Sequence, residues 1–178
     1  FTAVMGGMII AINIIEEKVD KTIRAIHLTP ISRNGYILGK SLVGAILPLY
    51  GSVAMIVITG FYDIDWPKMM VLVVVSMVAS ILFGFIQGIN NTSVMDAAGS
   101  VKMLFLPMAG AVAVAELLSD KWQWVVYWVP FYWTYKGVDE ILTYTATWKN
   151  TLFYGGIVVA ISAVVYLLLM PRIKKGLE

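Results

Sequence analysis

The charged side chains of this chain are concentrated in residues 16–40, EEKVDKTIRAIHLTPISRNGYILGK, which lie between two apolar stretches. This segment contains three acids and five bases, and Val19, Ile23 and Ile26 recur at the i, i+4, i+7 spacing of one helix face. An amphipathic helix of this kind lies on anionic lipid or docks into a groove on a soluble protein. Because a lipid-surface helix carries mainly bases, its acids favour protein docking, and both interpretations remain open.

The local sequence predicts a continuous helix over residues 16–28. Glu17 with Lys21, and Asp20 with Arg24, have the i, i+4 spacing and the acid-first order that stabilise a helix. Pro30 disfavours helical geometry at the residue before it, so we expect the helix to end near Thr29.

Three polar residues flank this predicted helix, and each has an expected role. Asn13 precedes Glu16 by three residues, a spacing similar to a capping box. Ser32 is expected to cap the next helix. Lys40 is expected to extend its ammonium to the membrane interface while its stem lies in lipid.

The residue types needed for several catalytic and metal sites are missing from the sequence. There are no cysteines and one histidine, which excludes disulfides, thiolate metal sites, cysteine nucleophiles and a His-rich zinc site within this chain. The stretch NGYILGKS ends in Gly-Lys-Ser, but Asn34 occupies the position of the first glycine of a phosphate-binding loop. We therefore predict no catalytic residues, no metal site and no nucleotide or other cofactor site in this chain.

The composition is that of a helical membrane protein. Of the 178 residues, 60% are hydrophobic and 13% are charged, against roughly a quarter charged in soluble domains. The net charge of +2 gives no indication of nucleic-acid binding. We predict a single all-α transmembrane domain, a polytopic helix bundle with spans at about 1–15, 37–61, 69–90, 103–118 and 151–170. Because the first apolar run starts at Phe1, we expect the sequence to be the C-terminal part of a longer protein, cut inside or near a membrane span.

The distribution of Lys and Arg predicts the orientation in the plasma membrane. Nine of the thirteen basic residues lie in 16–40, 91–102 and 171–178, and the other four lie in 62–68 and 119–150. Since basic residues concentrate on the cytoplasmic side, residues 16–36 and the C-terminus are expected in the cytoplasm. The N-terminal end of the sequence is expected outside, and the C-terminal bases are expected to meet anionic lipid.

An aromatic segment, residues 119–150, separates the last two spans. It contains five of the six tryptophans, and Pro130 makes one straight helix unfavourable. We predict one or two short helices at the outer membrane interface. These would either anchor the protein as an aromatic belt or contact substrate and gate its passage.

A few polar and small residues lie within the predicted spans. Glu116 is near the outer end of the fourth span, where interfacial placement competes with a substrate or proton role. Gln87 and Asn90 are expected to form hydrogen bonds with another helix. Gly84 and Gly88 form a small-xxx-small pair, which predicts close helix packing within the chain or across a dimer.

The charged segment resembles the cytoplasmic coupling region of type-2 ATP-binding-cassette transporter permeases. In that family a charged start leads to a Thr, a TP-[IV]-S-R turn follows, and a Gly-Lys pair opens the next span. The residues that fall on this pattern are Glu17, Lys18, Thr22, Ile23, Ile26, Thr29, Pro30, Ile31, Ser32, Arg33, Gly39 and Lys40. Lys21 departs from it, because the family usually has Gly there, and this lysine is expected to favour the continuous helix. The five spans and WVPFYWTYKGVDEIL are similar to the rest of the family domain.

The resemblance implies a permease half that forms a homodimer or heterodimer and binds cytoplasmic ATPase subunits through a coupling region at residues 16–36. It also implies that the first membrane helix of the family domain precedes residue 1. ATP and magnesium would be bound by those ATPase subunits, and the substrate would be exported. The residues implied to contact the ATPase are Glu16, Glu17, Lys18, Thr22, Ile23, Arg24, Ile26, Thr29, Pro30 and Arg33.

Other classes of membrane protein remain as alternatives. A secondary transporter or channel working without ATP would be expected to show an intramembrane charge pair or an inverted repeat, and neither is clear in the sequence. A membrane-embedded enzyme would need several polar groups at one depth. The Met, Phe and Tyr residues would suit a cavity for an amphipathic or drug-like molecule, although such residues also pack helices in lipid.

Overall fold

The computed structural model describes residues 2–22 and 32–176, and these contain six α-helices and one 3₁₀ helix. The α-helices are α1 (Thr2–Val19), α2 (Arg33–Thr59), α3 (Trp66–Asn90), α4 (Val94–Leu117), α5 (Pro130–Leu142) and α6 (Trp148–Gly176). The 3₁₀ helix spans Asp120–Val126. The predicted all-α fold is confirmed, and no strand occurs in the residues described.

Local capping residues set several of the helix boundaries. The Ser32 side chain accepts a hydrogen bond from the Gly35 amide, so the predicted cap of α2 is confirmed. Ser93 caps α4 by accepting from the Asp96 amide at 3.1 Å. At the end of α2, Gly60 has a φ of 75°, the left-handed conformation that glycine adopts without a steric penalty.

Each predicted span corresponds to one helix of the structure. Among the described residues, three helical segments are long and apolar enough to cross a membrane, namely Gly35–Thr59, Trp66–Asn90 and Trp148–Leu169. The fourth predicted span began at about residue 103, but α4 already begins at Val94, because Ser93 provides a cap directly after the preceding helix. The apolar part of α4, Phe105–Leu117, is shorter than these three segments.

Helix α1 packs closely against α2 and α3 through glycines. A Cβ atom on Gly84 would collide with the carbonyl oxygen of Gly7, and one on Gly6 would collide with Pro48. The Gly7 amide also donates a 3.0 Å hydrogen bond to the Ser80 hydroxyl. The predicted close packing of the Gly84 and Gly88 pair is therefore confirmed, and it occurs within this chain.

The helix bundle has two ends. We call the end where α1 terminates and α2 begins the Glu17 end, and the end where α3 begins the Trp66 end. The 3₁₀ helix and α5 lie at the Trp66 end, where buried residues of α4 and α5 form a core with Val4 of α1. Lys68 in the first turn of α3 donates a hydrogen bond of 2.9 Å to the Ala146 carbonyl, just before α6.

Candidate functional site

The charged segment contains a break in the helix, whereas we expected a continuous helix over residues 16–28. Helix α1 extends from the apolar span to Val19, and Lys21 then adopts a φ of 57° in the left-handed region. The prediction of one helix over 16–28 was therefore wrong. A left-handed residue interrupts α-helical hydrogen bonding, and glycine usually occupies such positions because a Cβ atom is strained there.

Thr22 satisfies one of the carbonyl groups left open by this break. Its hydroxyl donates a hydrogen bond of 3.2 Å to the Glu17 carbonyl oxygen. The Lys21 amide donates to the Lys18 carbonyl oxygen at 3.2 Å. The last turn of α1 is thus closed by Lys21 and Thr22.

Glu17 connects the end of α1 to the beginning of α2. Its carboxylate accepts from the Lys40 ammonium at 2.7 Å and from the Tyr36 hydroxyl at 2.5 Å. The Lys40 ammonium also donates to the Asn13 side-chain carbonyl at 2.8 Å. We call Asn13, Glu17, Tyr36 and Lys40 the Glu17 cluster.

The Glu17 cluster corrects two predictions about its members. Glu17 pairs with Lys40 and not with Lys21, because the helix breaks before the i, i+4 contact can form. The Lys40 ammonium has two acceptors within the protein, and its side chain is 15% exposed. Asn13 lies inside α1 and does not cap a helix start.

Lys18 connects α1 to the end of α3. Its ammonium donates to the carbonyl oxygens of Gly88 at 2.9 Å and Ile89 at 2.6 Å. These carbonyls belong to the last turn of α3, where backbone acceptors lack helical partners and the helix dipole favours a cation. Two neighbouring residues of α1, Glu17 and Lys18, therefore hold two different helices.

The residues predicted to contact an ATPase fall into three groups. Glu17, Lys18 and Thr22 have the contacts given above, and Glu16 is exposed beside them. Arg33 begins α2. Ile23, Arg24, Ile26, Thr29 and Pro30 lie outside the described residues.

Sequence reasoning missed Tyr36 and the role of Asn13. Tyr36 and Lys40 are four residues apart, so they share a helix face, and Asn13 and Glu17 have the same spacing on α1. This matching spacing of polar residues at the ends of two consecutive helices was a usable signal for a contact between the helices.

The aromatic segment contains two short helices, as predicted, and a buried polar contact fixes them to α4. The Tyr132 hydroxyl donates a hydrogen bond of 2.6 Å to the side-chain carbonyl of Gln123. The Gln123 amide donates to the carbonyls of Ala115 and Leu118 at the end of α4. Trp122, Trp124 and Trp128 remain 59–69% exposed, as expected of side chains that contact a membrane interface.

Glu116, near the end of α4, contacts α5. The Tyr135 hydroxyl donates a hydrogen bond to the Glu116 carboxylate. That hydrogen bond, with a smaller contribution from desolvation, raises the pKa of Tyr135 to about 12, so the phenol is neutral at physiological pH. Among the residues whose side chains are described, no group of three His, Cys, Asp or Glu is arranged to hold a metal ion.

Comparison with known proteins places this bundle among transporters. Residues 1–169 match the family described as fluoroquinolones export permease protein Rv2686c-like. No curated protein and no solved structure gives a match. The match is consistent with the resemblance to type-2 ATP-binding-cassette permeases. Because it covers nearly the whole sequence, the chain belongs to the Rv2686c-like family of export permease proteins.

Proposed function

We propose that this chain is the membrane-spanning permease subunit of an ATP-driven exporter. A separate cytoplasmic ATPase would bind ATP and magnesium, and this chain would provide the route across the bilayer. The family match supports the permease role. The similarity of residues 16–40 to a coupling region supports the use of ATP.

The contacts of Glu17 and Lys18 are the observation that best supports coupling. The segment after α1 is connected to α2 through the ion pair of Glu17 with Lys40, and to α3 through Lys18. A displacement of that segment by an ATPase would therefore act on three helices at once. Such contiguous polar contacts transmit displacement when the helices have two packed arrangements.

The proposed orientation places the Glu17 end in the cytoplasm, following the distribution of Lys and Arg. The Trp66 end, with the exposed tryptophans, would then lie at the outer interface. The exposed apolar face of α2, which includes Leu38, Leu42 and Ile46, would contact lipid or a second permease half.

The proposed substrate is a small amphipathic molecule. The family description names fluoroquinolones, which combine a flat aromatic body with polar groups. Norfloxacin is therefore the first substrate to test, since its own fluorescence reports its accumulation.

The proposal is tested by co-expressing the chain with an ATP-binding-cassette ATPase from the same genome. We expect the two to co-purify, and inside-out vesicles to accumulate norfloxacin only when ATP is added. The matched control is an ATPase whose phosphate-loop lysine is replaced. Accumulation that persists with this inactive ATPase and follows an imposed proton gradient would instead identify a secondary transporter.

A further inference from the structure

A cavity of about 440 Å³ lies between α2, α3, α4 and α5, toward the Trp66 end of the bundle. Its size is within the range of pockets that bind small molecules. Three methionines and two phenylalanines contribute to its wall: Met55, Met69, Met108, Phe61 and Phe131. Methionine side chains are flexible and polarizable, so this wall can adapt to aromatic bodies of different shape.

The hydroxyl groups in the wall are already occupied by partners within the protein. Thr2 and Ser52 bond to each other at 2.8 Å. Ser76 and Thr59 donate to carbonyls of their own helices, at 2.5 Å to Leu72 and 2.7 Å to Met55. The interior of the cavity therefore favours an apolar body over a polar one.

A carboxylate lies at the edge of this apolar cavity. Met108 and Val112 line the wall, and Glu116 follows at the same four-residue spacing, so it continues their face of α4. Tyr135, which also lines the wall, donates its hydroxyl to Glu116. Within the part of the chain described, no lysine or arginine pairs with Glu116.

We propose that this cavity binds a small molecule with an apolar, aromatic body and one protonated amine. The methionines and phenylalanines contact the body, and the amine pairs with Glu116. Tyr135 is a positioning residue, because its hydrogen bond orients the carboxylate. This site rests on the proposed export function, since it would be the place where the exported molecule is held.

The carboxylate of Glu116 favours an amine over a lipid acyl chain as the occupant of the cavity. A lipid acyl chain would use the same apolar wall, but it has no group that pairs with a carboxylate. A hydrogen bond between oppositely charged groups is stronger than one between neutral groups. An amine should therefore bind more tightly than an otherwise similar neutral molecule.

The test measures binding to the purified permease in nanodiscs, without an ATPase. The probes are dansylcadaverine, which carries a primary amine, and its N-acetyl derivative, which is neutral. Energy transfer from tryptophan to the dansyl group gives the Kd of each. We expect the amine to bind about tenfold more tightly, equivalent to about 1.4 kcal/mol, and Glu116→Gln to abolish that preference.

Three further variants control this comparison. Asp63→Asn removes another exposed carboxylate at the same end and should leave the preference unchanged. Glu116→Asp keeps the charge and should retain a preference for the amine. Met55→Trp should weaken both probes by filling the cavity, whereas Met95→Trp, at a side chain that is 86% exposed, should not.

Two results would overturn the assignment of this site. Equal binding of the two probes to the unmodified permease would show that the occupant is not an amine, a measurement that does not depend on any variant folding. Unchanged binding by a folded Met55→Trp protein would place the ligand elsewhere. If ATP-driven norfloxacin accumulation is intact, either result overturns the assignment of this binding site. The proposal that the chain is an exporter subunit would then still hold.

Discussion

The carboxylate of Glu17 lies 2.7 Å from the ammonium of Lys40, and this ion pair joins the last turn of α1 to the early turns of α2. Both side chains are largely shielded from solvent, with 23% and 15% exposed. The part of the charged segment that follows α1 lies between these two residues in the sequence. The pair is thus placed where a displacement of the segment would first reach the bundle.

Removing one charge of this pair should weaken both stability and coupling. We expect Glu17→Gln to reduce the free energy of unfolding by about 1–3 kcal/mol, between the values for exposed and buried charged contacts. ATP-dependent accumulation of norfloxacin in vesicles should fall more than co-purification of the ATPase, because the ATPase would still bind.

The double variant Glu17→Lys with Lys40→Glu tests whether the ion pair itself matters. Restoring opposite charges should recover part of the transport that either single variant loses. Asp139→Asn, an exposed acid at the other end of the bundle, is the matched control and should transport normally. Full transport by Glu17→Gln would contradict a coupling role.

The contact between Gly7 and Gly84 should tolerate no side chain. Gly84→Ala places a Cβ atom against the carbonyl oxygen of Gly7, and overpacking of this kind costs about 1–3 kcal/mol. We expect a lower midpoint of thermal unfolding in detergent. Gly156→Ala, where the added methyl meets no atom within 4 Å, should unfold at or above the temperature of the unmodified protein.

The buried hydrogen bond between Tyr132 and Gln123 should stabilise the Trp66 end. Tyr132→Phe leaves the Gln123 side-chain carbonyl without this donor, at a cost of about 1–3 kcal/mol. Tyr144→Phe removes a hydroxyl from a side chain that is 69% exposed and provides the control. Equal unfolding midpoints for the two variants would argue against a structural role for this bond.

The orientation of the bundle can be read from single cysteines, because the chain has none of its own. A maleimide that does not cross membranes should label Tyr62→Cys in intact cells and Thr22→Cys only after the membrane is opened. Both positions are exposed. The opposite labelling pattern would reverse the orientation and remove the cytoplasmic assignment of the coupling region.

The helices could be predicted from the sequence because long apolar runs and caps are local features. Ser32 was identified as a cap from its position after Pro30, and the structure confirms it. Helix α4 begins before the predicted span at 103–118, because Ser93 already provides a cap ahead of the apolar residues. Hydropathy reports burial in lipid, and a helix can begin before its apolar part.

The contacts of the candidate site were only partly predictable. The sequence identifies the charged residues, but their partners depend on how α1, α2 and α3 pack. The spacing of residues along one helix gives no information about that packing. Lys21 shows this most clearly. Lysine favours α-helices, but Lys21 adopts a left-handed conformation shortly after α1. The close approach of Gly7 to Gly84 brings Lys18 to the carbonyls of Gly88 and Ile89, although these residues are distant in sequence.

We propose that a separate ATPase contacts the segment that follows α1. To test this contact, the photoreactive residue p-benzoylphenylalanine is placed at position 22 or at position 62 in cells that also produce the ATPase. We expect an ultraviolet-dependent crosslink to the ATPase from position 22 and none from position 62. A crosslink from position 62 alone, or none from position 22 while the two proteins co-purify, would contradict it.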